Sequence, residues 1–220
     1  MKPIKTLIII PAYNEEKKIK KVIDQCLMYS NYVLAINDGS KDRTLKEIKK
    51  TKAICFNNKS NKGKGYSLKK GFRYAIKNNF DVVITIDSDG QHNPKYIPKF
   101  LAEIEKGFDL VIGTRIKRHS DMPYIRRFTN FFLSLIFSFF SRKWIKDSQS
   151  GYRAIKVEIL KDLDLLTNRY ETESEILMKL GRKGVKFGKV IIPTIYKDEK
   201  SSINPVKDTF RFLRVLKYRK

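Results

Sequence analysis

The stretch VVITIDSDGQHNP (residues 82–94) joins five mostly apolar residues directly to two carboxylates, Asp87 and Asp89. A short apolar run of this kind is typical of a strand that is buried on both faces of a sheet. Comparable runs, separated by segments with helical periodicity, occur at 6–10, 32–36, 53–56 and 109–113. This alternation predicts an α/β fold with a mostly parallel central sheet flanked by helices.

Capping residues predict where two of the helices begin and end. Asn14, followed by two glutamates, is the predicted N-cap of the helix after the first strand. Asn93 and Pro94 predict the start of a later helix, and Gly107 predicts its end.

Polar residues follow three of the predicted strands at the point where each strand ends. They occupy residues 11–15, 37–40 and 87–89. In a parallel sheet the carboxyl ends of the strands share one edge, and ligands bind outside that edge. The sequence therefore predicts a binding site to which three separate strands contribute.

Asp87 and Asp89 are close enough in sequence to face the same ligand once the chain turns after the strand. Crowded carboxylates repel each other unless a cation lies between them. Mg²⁺ and Mn²⁺ prefer oxygen ligands and commonly bridge to substrate phosphates. The two carboxylates, with the amide oxygen of Gln91, could therefore hold a metal–diphosphate complex. The alternative is a polar turn that ends the strand without binding anything.

Composition limits the class of protein and of partner. The 220 residues carry a formal net charge of +24, and 41% of them are hydrophobic, so a globular domain with anionic partners is expected. Lysines spread over an ordinary surface would give the same charge. Cys26 and Cys55 lie in apolar patterns, which predicts buried thiols and a reducing, cytosolic environment.

Other nucleotide and metal motifs are incomplete. Gly63 and Gly65 lack the third glycine of a dinucleotide-binding fingerprint, and the chain has no P-loop sequence. His92 and His119 with the two cysteines do not have the spacing of a zinc site.

The last third of the chain is apolar and basic. Residues 128–140 are nearly all apolar but too few to span a bilayer, which needs about 20 residues. They fit either a core helix or a helix lying in a membrane interface. Residues 205–220 predict a basic amphipathic helix. We therefore expect one domain over residues 1–200 followed by this helix within 201–220.

Six segments, in order, resemble the motifs of family-2 glycosyltransferases with the GT-A fold. They are PAYNE (11–15), NDGSKD (37–42), NKGKG (61–65), DSDGQH (87–92), GTR (113–115) and DSQSGYR (147–153). The set is most similar to dolichol- or polyprenyl-phosphate mannosyl- and glucosyltransferases, and it covers about the first 155 residues. The resemblance implies a nucleotide-sugar donor, Mg²⁺ or Mn²⁺, and inversion at the anomeric carbon.

On the donor side, the resemblance implies that the nucleotide is lined by Pro11, Ala12, Tyr13 and Glu15. It implies that Asp38 contacts the base or ribose, although Asn37 stands where the family often has a second acidic residue. It assigns the metal and diphosphate to Asp87, Asp89 and Gln91, and places Arg115 near the donor sugar or phosphates.

On the acceptor side, the resemblance implies that Arg126 or Arg127 binds the acceptor phosphate. It assigns Asp147, Gln149 and Ser150 to the acceptor motif. The candidate catalytic residues are Asp89, Arg115, Arg126, Arg127 and Asp147.

Three functions are compatible with these features. The first is transfer of a hexose from GDP-mannose or UDP-glucose to a polyprenyl or dolichyl phosphate, by an enzyme docked on the cytoplasmic face of an anionic membrane. The second is a soluble glycosyltransferase acting on a glycan hydroxyl, with Asp147 as the general base. The third, a nucleic-acid-binding protein, is disfavoured because Asp38, Asp87 and Asp89 would repel phosphate without a metal.

Overall fold

The computed structural model of the chain describes residues 3–116 and 150–193, without the side chains of Arg115 and Ile116. The first part contains β1 (Thr6–Ala12), α1 (Ile19–Leu27), β2 (Val33–Asn37), α2 (Thr44–Lys49), β3 (Ile54–Asn57), α3 (Lys64–Lys77), β4 (Val82–Thr85), α4 (Ile97–Glu105) and β5 (Leu110–Ile116). The second part adds β6 (Arg153–Lys156), α5 (Glu171–Arg182) and β7 (Phe187–Pro193).

The seven strands of the described residues form one sheet in the order β3-β2-β1-β4-β6-β5-β7. β6 is antiparallel to both β4 and β5, and the other neighbouring strands pair in parallel. Six strands therefore end at one edge of the sheet, here called the carboxyl edge, and the residues just before β6 reach the same edge. The predicted α/β fold with a mostly parallel sheet is confirmed.

Helices cover both faces of this sheet. α1, α2 and α4 pack on one face around Ile8 and Ile10 of β1, and α3 and α5 pack on the other around Leu7 and Ile9. All four of these side chains are fully buried. Burying an aliphatic side chain contributes about 1.5–3 kcal/mol, so the apolar runs that predicted the strands also supply the core.

The predicted cap at Asn93 and the predicted end at Gly107 are confirmed, but Pro94–Tyr96 form a 3₁₀ turn and α4 itself begins only at Ile97. The predicted start of α1 is wrong. Asn93 Oδ1 accepts a hydrogen bond from Lys95 N at 3.0 Å, and Gly107 has φ +94° just past the helix. α1 begins only at Ile19, and Asn14 instead has a left-handed backbone with φ +56°. Asparagine tolerates this conformation better than most residues, so Asn14 turns the chain along the carboxyl edge.

The two cysteines differ in burial. Cys26 is fully buried in α1, and burial raises the pKa of its thiol to about 12. Cys55 is only partly buried, because β3 is an edge strand of the sheet. The prediction of a buried thiol is therefore confirmed for Cys26 and wrong for Cys55.

Several predicted features lie outside the described residues. They are the apolar segment at 128–140, the basic helix within 201–220, and the side chains of Arg126, Arg127, Asp147 and Gln149. Within the described ranges, no helix combines the length and apolar character that crossing a membrane requires.

Candidate active site

The residues after β1 and the residues after β2 are joined along the carboxyl edge. Asp38 N donates to the carbonyl of Ala12 at 2.8 Å, and Asn14 N donates to Ser40 Oγ at 3.0 Å. In return, Asn14 Oδ1 accepts from Lys41 N at 2.9 Å. These bonds bring the segments PAYNE and NDGSKD together, as their positions after neighbouring strands predicted.

Asp38 is almost completely buried beneath the loop that precedes α3. Its Oδ1 accepts from Asn58 Nδ2 at 2.7 Å and from Lys62 N at 3.0 Å, and its Oδ2 accepts from Gly63 N at 2.7 Å. Asp38 therefore anchors the NKGKG loop, a role that the sequence did not reveal. Its contact with the base or ribose stays a prediction.

Three carboxylates crowd the edge beyond β1 and β4. Burial, and then the charge of Asp87, raise the pKa of Asp89 above its ordinary value. Burial, and then the charge of Asp89, likewise raise the pKa of Glu15. Each carboxylate therefore makes it harder for its neighbours to ionise, which is the condition that a bound cation relieves.

The oxygen ligands present here fit Mg²⁺ or Mn²⁺. Asp87 and Asp89 project from the segment after β4, and Asp89 Oδ1 accepts from Gln91 N at 2.9 Å, which fixes the turn. Proteins commonly hold Mg²⁺ with one or two carboxylates and leave other positions for water and substrate phosphates. In residues 3–116 and 150–193, no three or more His, Cys, Asp or Glu side chains are grouped to hold a metal ion.

A buried lysine lies against this acidic site, and the sequence analysis gave it no role. Lys64 is the first residue of α3, and its Nζ lies 2.5 Å from Asp87 Oδ1 and 3.0 Å from Glu173 Oε1. Burial alone would lower the pKa of Lys64, but the two carboxylates hold it above its usual value. Lys64 is therefore a charged ammonium shared between the segment after β4 and the first turn of α5.

Gly151 makes room for the pair formed by Asp87 and Lys64. A Cβ atom at position 151 would lie 2.6 Å from Asp87 Oδ2 and 2.7 Å from Lys64 Nζ, closer than real Cβ contacts allow. Arg153 holds this segment in place, since its Nε donates to Ser150 O at 2.8 Å and its Nη1 to Glu173 O at 2.7 Å. The quoted segment SGYR contained both residues, but nothing in it named their partners.

The remaining predicted site residues are only partly located. Pro11 and Ala12 end β1 at the carboxyl edge, and Tyr13 beyond them is 40% exposed. Ser150 is buried just before β6, at the same edge. Arg115 lies near the end of β5, and its side chain is outside the described part of the chain.

His92 lies close to the same carboxylate as Lys64. Its Nδ1 is 3.7 Å from Asp87 Oδ2, and its ring lies 5.4 Å from that of Tyr152. His92 is therefore buried beside the carboxylate pair.

Comparison with known proteins assigns a family. Residues 7–164 match the family model described as glycosyl transferase family 2. The UDP-N-acetylglucosamine–dolichyl-phosphate N-acetylglucosaminyltransferase of Methanococcus voltae is 36% identical over 214 residues, covering 86% of this chain and 85% of the relative. The dolichol-phosphate mannosyltransferase of Pyrococcus furiosus is 29% identical over 189 residues, covering 80% of this chain and 53% of the relative.

Solved structures share the fold. Glucosyl-3-phosphoglycerate synthase of Mycobacterium tuberculosis superposes with a TM-score of 0.77 at 20% identity, covering 96% of this chain and 79% of that one. A second structure of that enzyme, with Mn²⁺, UDP-glucose and phosphoglyceric acid, gives the same TM-score at 18% identity, covering 96% of this chain and 78% of that one. The GT-A fold expected from the six segments is thereby confirmed.

Proposed function

The chain belongs to glycosyl transferase family 2, and on that premise we propose that it transfers a hexose from a nucleotide sugar to a polyprenyl or dolichyl phosphate. The observation that supports the nucleotide-sugar donor is the crowding of Glu15, Asp87 and Asp89 at the carboxyl edge, and the similarity to dolichyl-phosphate glycosyltransferases supports the acceptor. A site with this charge would repel a nucleoside diphosphate unless a divalent cation came with it.

The donor is bound by residues of the carboxyl edge. Asp87, Asp89 and Gln91 would hold Mg²⁺ or Mn²⁺, and a bound ion would supply positive charge to the leaving diphosphate. Pro11, Ala12, Tyr13 and Glu15 line the nucleotide, and Asp38 contacts its base or ribose. Arg115 binds the donor sugar or phosphates through its guanidinium group.

The acceptor phosphate attacks the anomeric carbon from the side opposite the leaving diphosphate, which inverts the configuration. A lipid phosphate is already an anion at neutral pH, so this step requires no general base. Arg126 or Arg127 binds that phosphate, because a guanidinium group matches phosphate geometry. Asp147, Gln149 and Ser150 belong to the acceptor side.

A panel of donors tests this function. The wild-type protein is incubated with polyprenyl phosphate, Mg²⁺ or Mn²⁺, and one of three donors: GDP-mannose, UDP-glucose or UDP-N-acetylglucosamine. The third donor is included because the Methanococcus voltae relative is named for it. We expect one donor to give a lipid-linked sugar and free nucleoside diphosphate, and EDTA to abolish both. Full transfer in the presence of EDTA would contradict the proposed requirement for a metal ion. The absence of transfer from every donor would contradict the proposed function.

We further propose that the enzyme docks peripherally on the cytoplasmic face of an anionic membrane through the basic helix that the sequence predicts at 205–220, with help from the apolar segment at 128–140. A chain ending at Asn204 should keep its melting temperature but lose co-sedimentation with anionic vesicles. Wild-type binding should also weaken as salt rises, because charges are screened over about 8–10 Å near physiological ionic strength. Neutral vesicles are the control. Unfolding of the shortened chain would indicate core packing instead.

A further inference from the structure

We propose that Lys64 is a built-in counter-cation that changes partner during donor binding. Without donor it neutralises Asp87, and when a divalent ion binds Asp87 the ammonium is left to Glu173 alone. This inference rests on the proposed metal site, and it gives the second lysine of the NKGKG segment, Lys64, and the first turn of α5 a role in donor binding.

The first support is that the ammonium is shared. Lys64 Nζ is 2.5 Å from Asp87 Oδ1 and 3.0 Å from Glu173 Oε1, and the exposed fractions of the Lys64 and Glu173 side chains are 16% and 9%. A charge with so little access to water is stabilised by a neighbouring opposite charge. Glu173 supplies one that remains in place when Asp87 is taken by a metal ion.

The second support is that Lys64 and Glu173 are carried by segments packed tightly together. Tyr66 N donates to Asn168 O at 2.9 Å. Gly65 meets Thr172 so closely that a Cβ atom there would collide with its side chain. These contacts hold the start of α3 against the start of α5, which keeps Glu173 within reach of the ammonium.

The third support is that the surroundings restrict where the ammonium can go. Gly151 lies directly over the pair formed by Asp87 and Lys64, with a hypothetical Cβ atom only 2.7 Å from Lys64 Nζ. Arg153 links the Ser150 carbonyl on that side to the Glu173 carbonyl on the other. This packing therefore leaves the ammonium of Lys64 room only for small movements between Asp87 and Glu173.

The exchange predicts opposite effects of two substitutions on metal affinity. Lys64→Met removes the ammonium that competes for Asp87, so Mn²⁺ should bind about tenfold more tightly in the absence of donor. Glu173→Gln removes the second partner and leaves the ammonium to Asp87, so Mn²⁺ should bind about tenfold more weakly. A purely structural role for either residue would weaken binding in both variants.

Mn²⁺ binding is measured by electron paramagnetic resonance of the free ion, without donor and then with UDP or GDP. Matched controls are Lys77→Met, at an exposed lysine at the other end of α3, and Glu171→Gln, on the same turn of α5 as Glu173. Both controls should bind Mn²⁺ as the unchanged protein does. Circular dichroism and melting temperature establish that each variant is folded.

Shifts of the same sign in both variants, or shifts no larger than those of the controls, would overturn the exchange. If Lys64→Met does not fold, the test rests on Glu173→Gln alone. Weaker Mn²⁺ binding by Glu173→Gln would then support the exchange, and equal or tighter binding would overturn it. Wild-type protein that binds no Mn²⁺, with or without nucleoside diphosphate, would contradict the proposed metal function itself.

Discussion

Asp89→Asn is expected to lower kcat/KM for sugar transfer at least about a hundredfold, the loss typical when one electrostatic contact to a transition state is removed. The amide has nearly the shape of the carboxylate but lacks the charge that holds the metal ion. Because burial and Asp87 already raise the pKa of Asp89, removing its charge should also relieve repulsion in the metal-free protein. Activity should therefore fall while the melting temperature stays the same or rises.

Steady-state transfer and thermal unfolding, measured on the same preparations, check this expectation. Asp24→Asn is the matched control, since Asp24 lies on α1 and its side chain is 47% exposed in a pair with Lys20. It should leave transfer unchanged. If Asp89→Asn transfers sugar nearly as fast as the unchanged protein, Asp89 is not a metal ligand. A large loss of stability would show instead that the role of Asp89 is structural.

Gly151→Ala is expected to have the second large effect. The added methyl group would lie within 2.8 Å of both carboxylate oxygens of Asp87 and of Lys64 Nζ. Overpacking of this kind costs about 1–3 kcal/mol. Displacing the Asp87 carboxylate by about 1 Å should lower transfer roughly a hundredfold.

Gly184→Ala separates local crowding from the general cost of replacing a glycine. Gly184 follows α5 with φ +74°, and a Cβ atom there would meet nothing within 4 Å. Its left-handed backbone should cost about 1–2 kcal/mol on substitution, with transfer unchanged. If Gly151→Ala transfers sugar as well as Gly184→Ala does, the close packing of Gly151 against Asp87 does not matter for activity.

The strands that carry the donor side could be predicted from the sequence because they are buried on both faces. Such strands appear as short apolar runs, as in β1, β2 and β4. β7 gave no comparable signal, since it lies at the edge of the sheet and its residues alternate between buried and exposed from Lys189 onward. β6 is only four residues long and antiparallel to its neighbours, so the alternation of strands and helices did not predict it.

The start of α1 was mispredicted because two roles of asparagine have the same appearance in a sequence. Asn14 could cap a helix or adopt a left-handed turn, and its bonds to Ser40 and Lys41 favour the turn. Those partners lie after a different strand, so local sequence could not reveal them.

The carboxylate pair of the candidate site was predictable, but its counter-cation was not. Asp87 and Asp89 are neighbours in sequence and follow a recognisable strand. Lys64 meets Asp87, and Glu173 meets Lys64, only through the packing of α3 against α5. Their proximity could be found only from the fold.

Sugar transfer to a lipid phosphate is tested most directly by comparing two acceptors. The purified protein receives a labelled nucleotide sugar and Mn²⁺, with either a polyprenyl phosphate or the polyprenol of the same length. We expect the label to enter only the phosphorylated lipid, with one nucleoside diphosphate released for each sugar transferred. Label on the polyprenol or on a glycan hydroxyl, with none on the lipid phosphate, would contradict the proposed function.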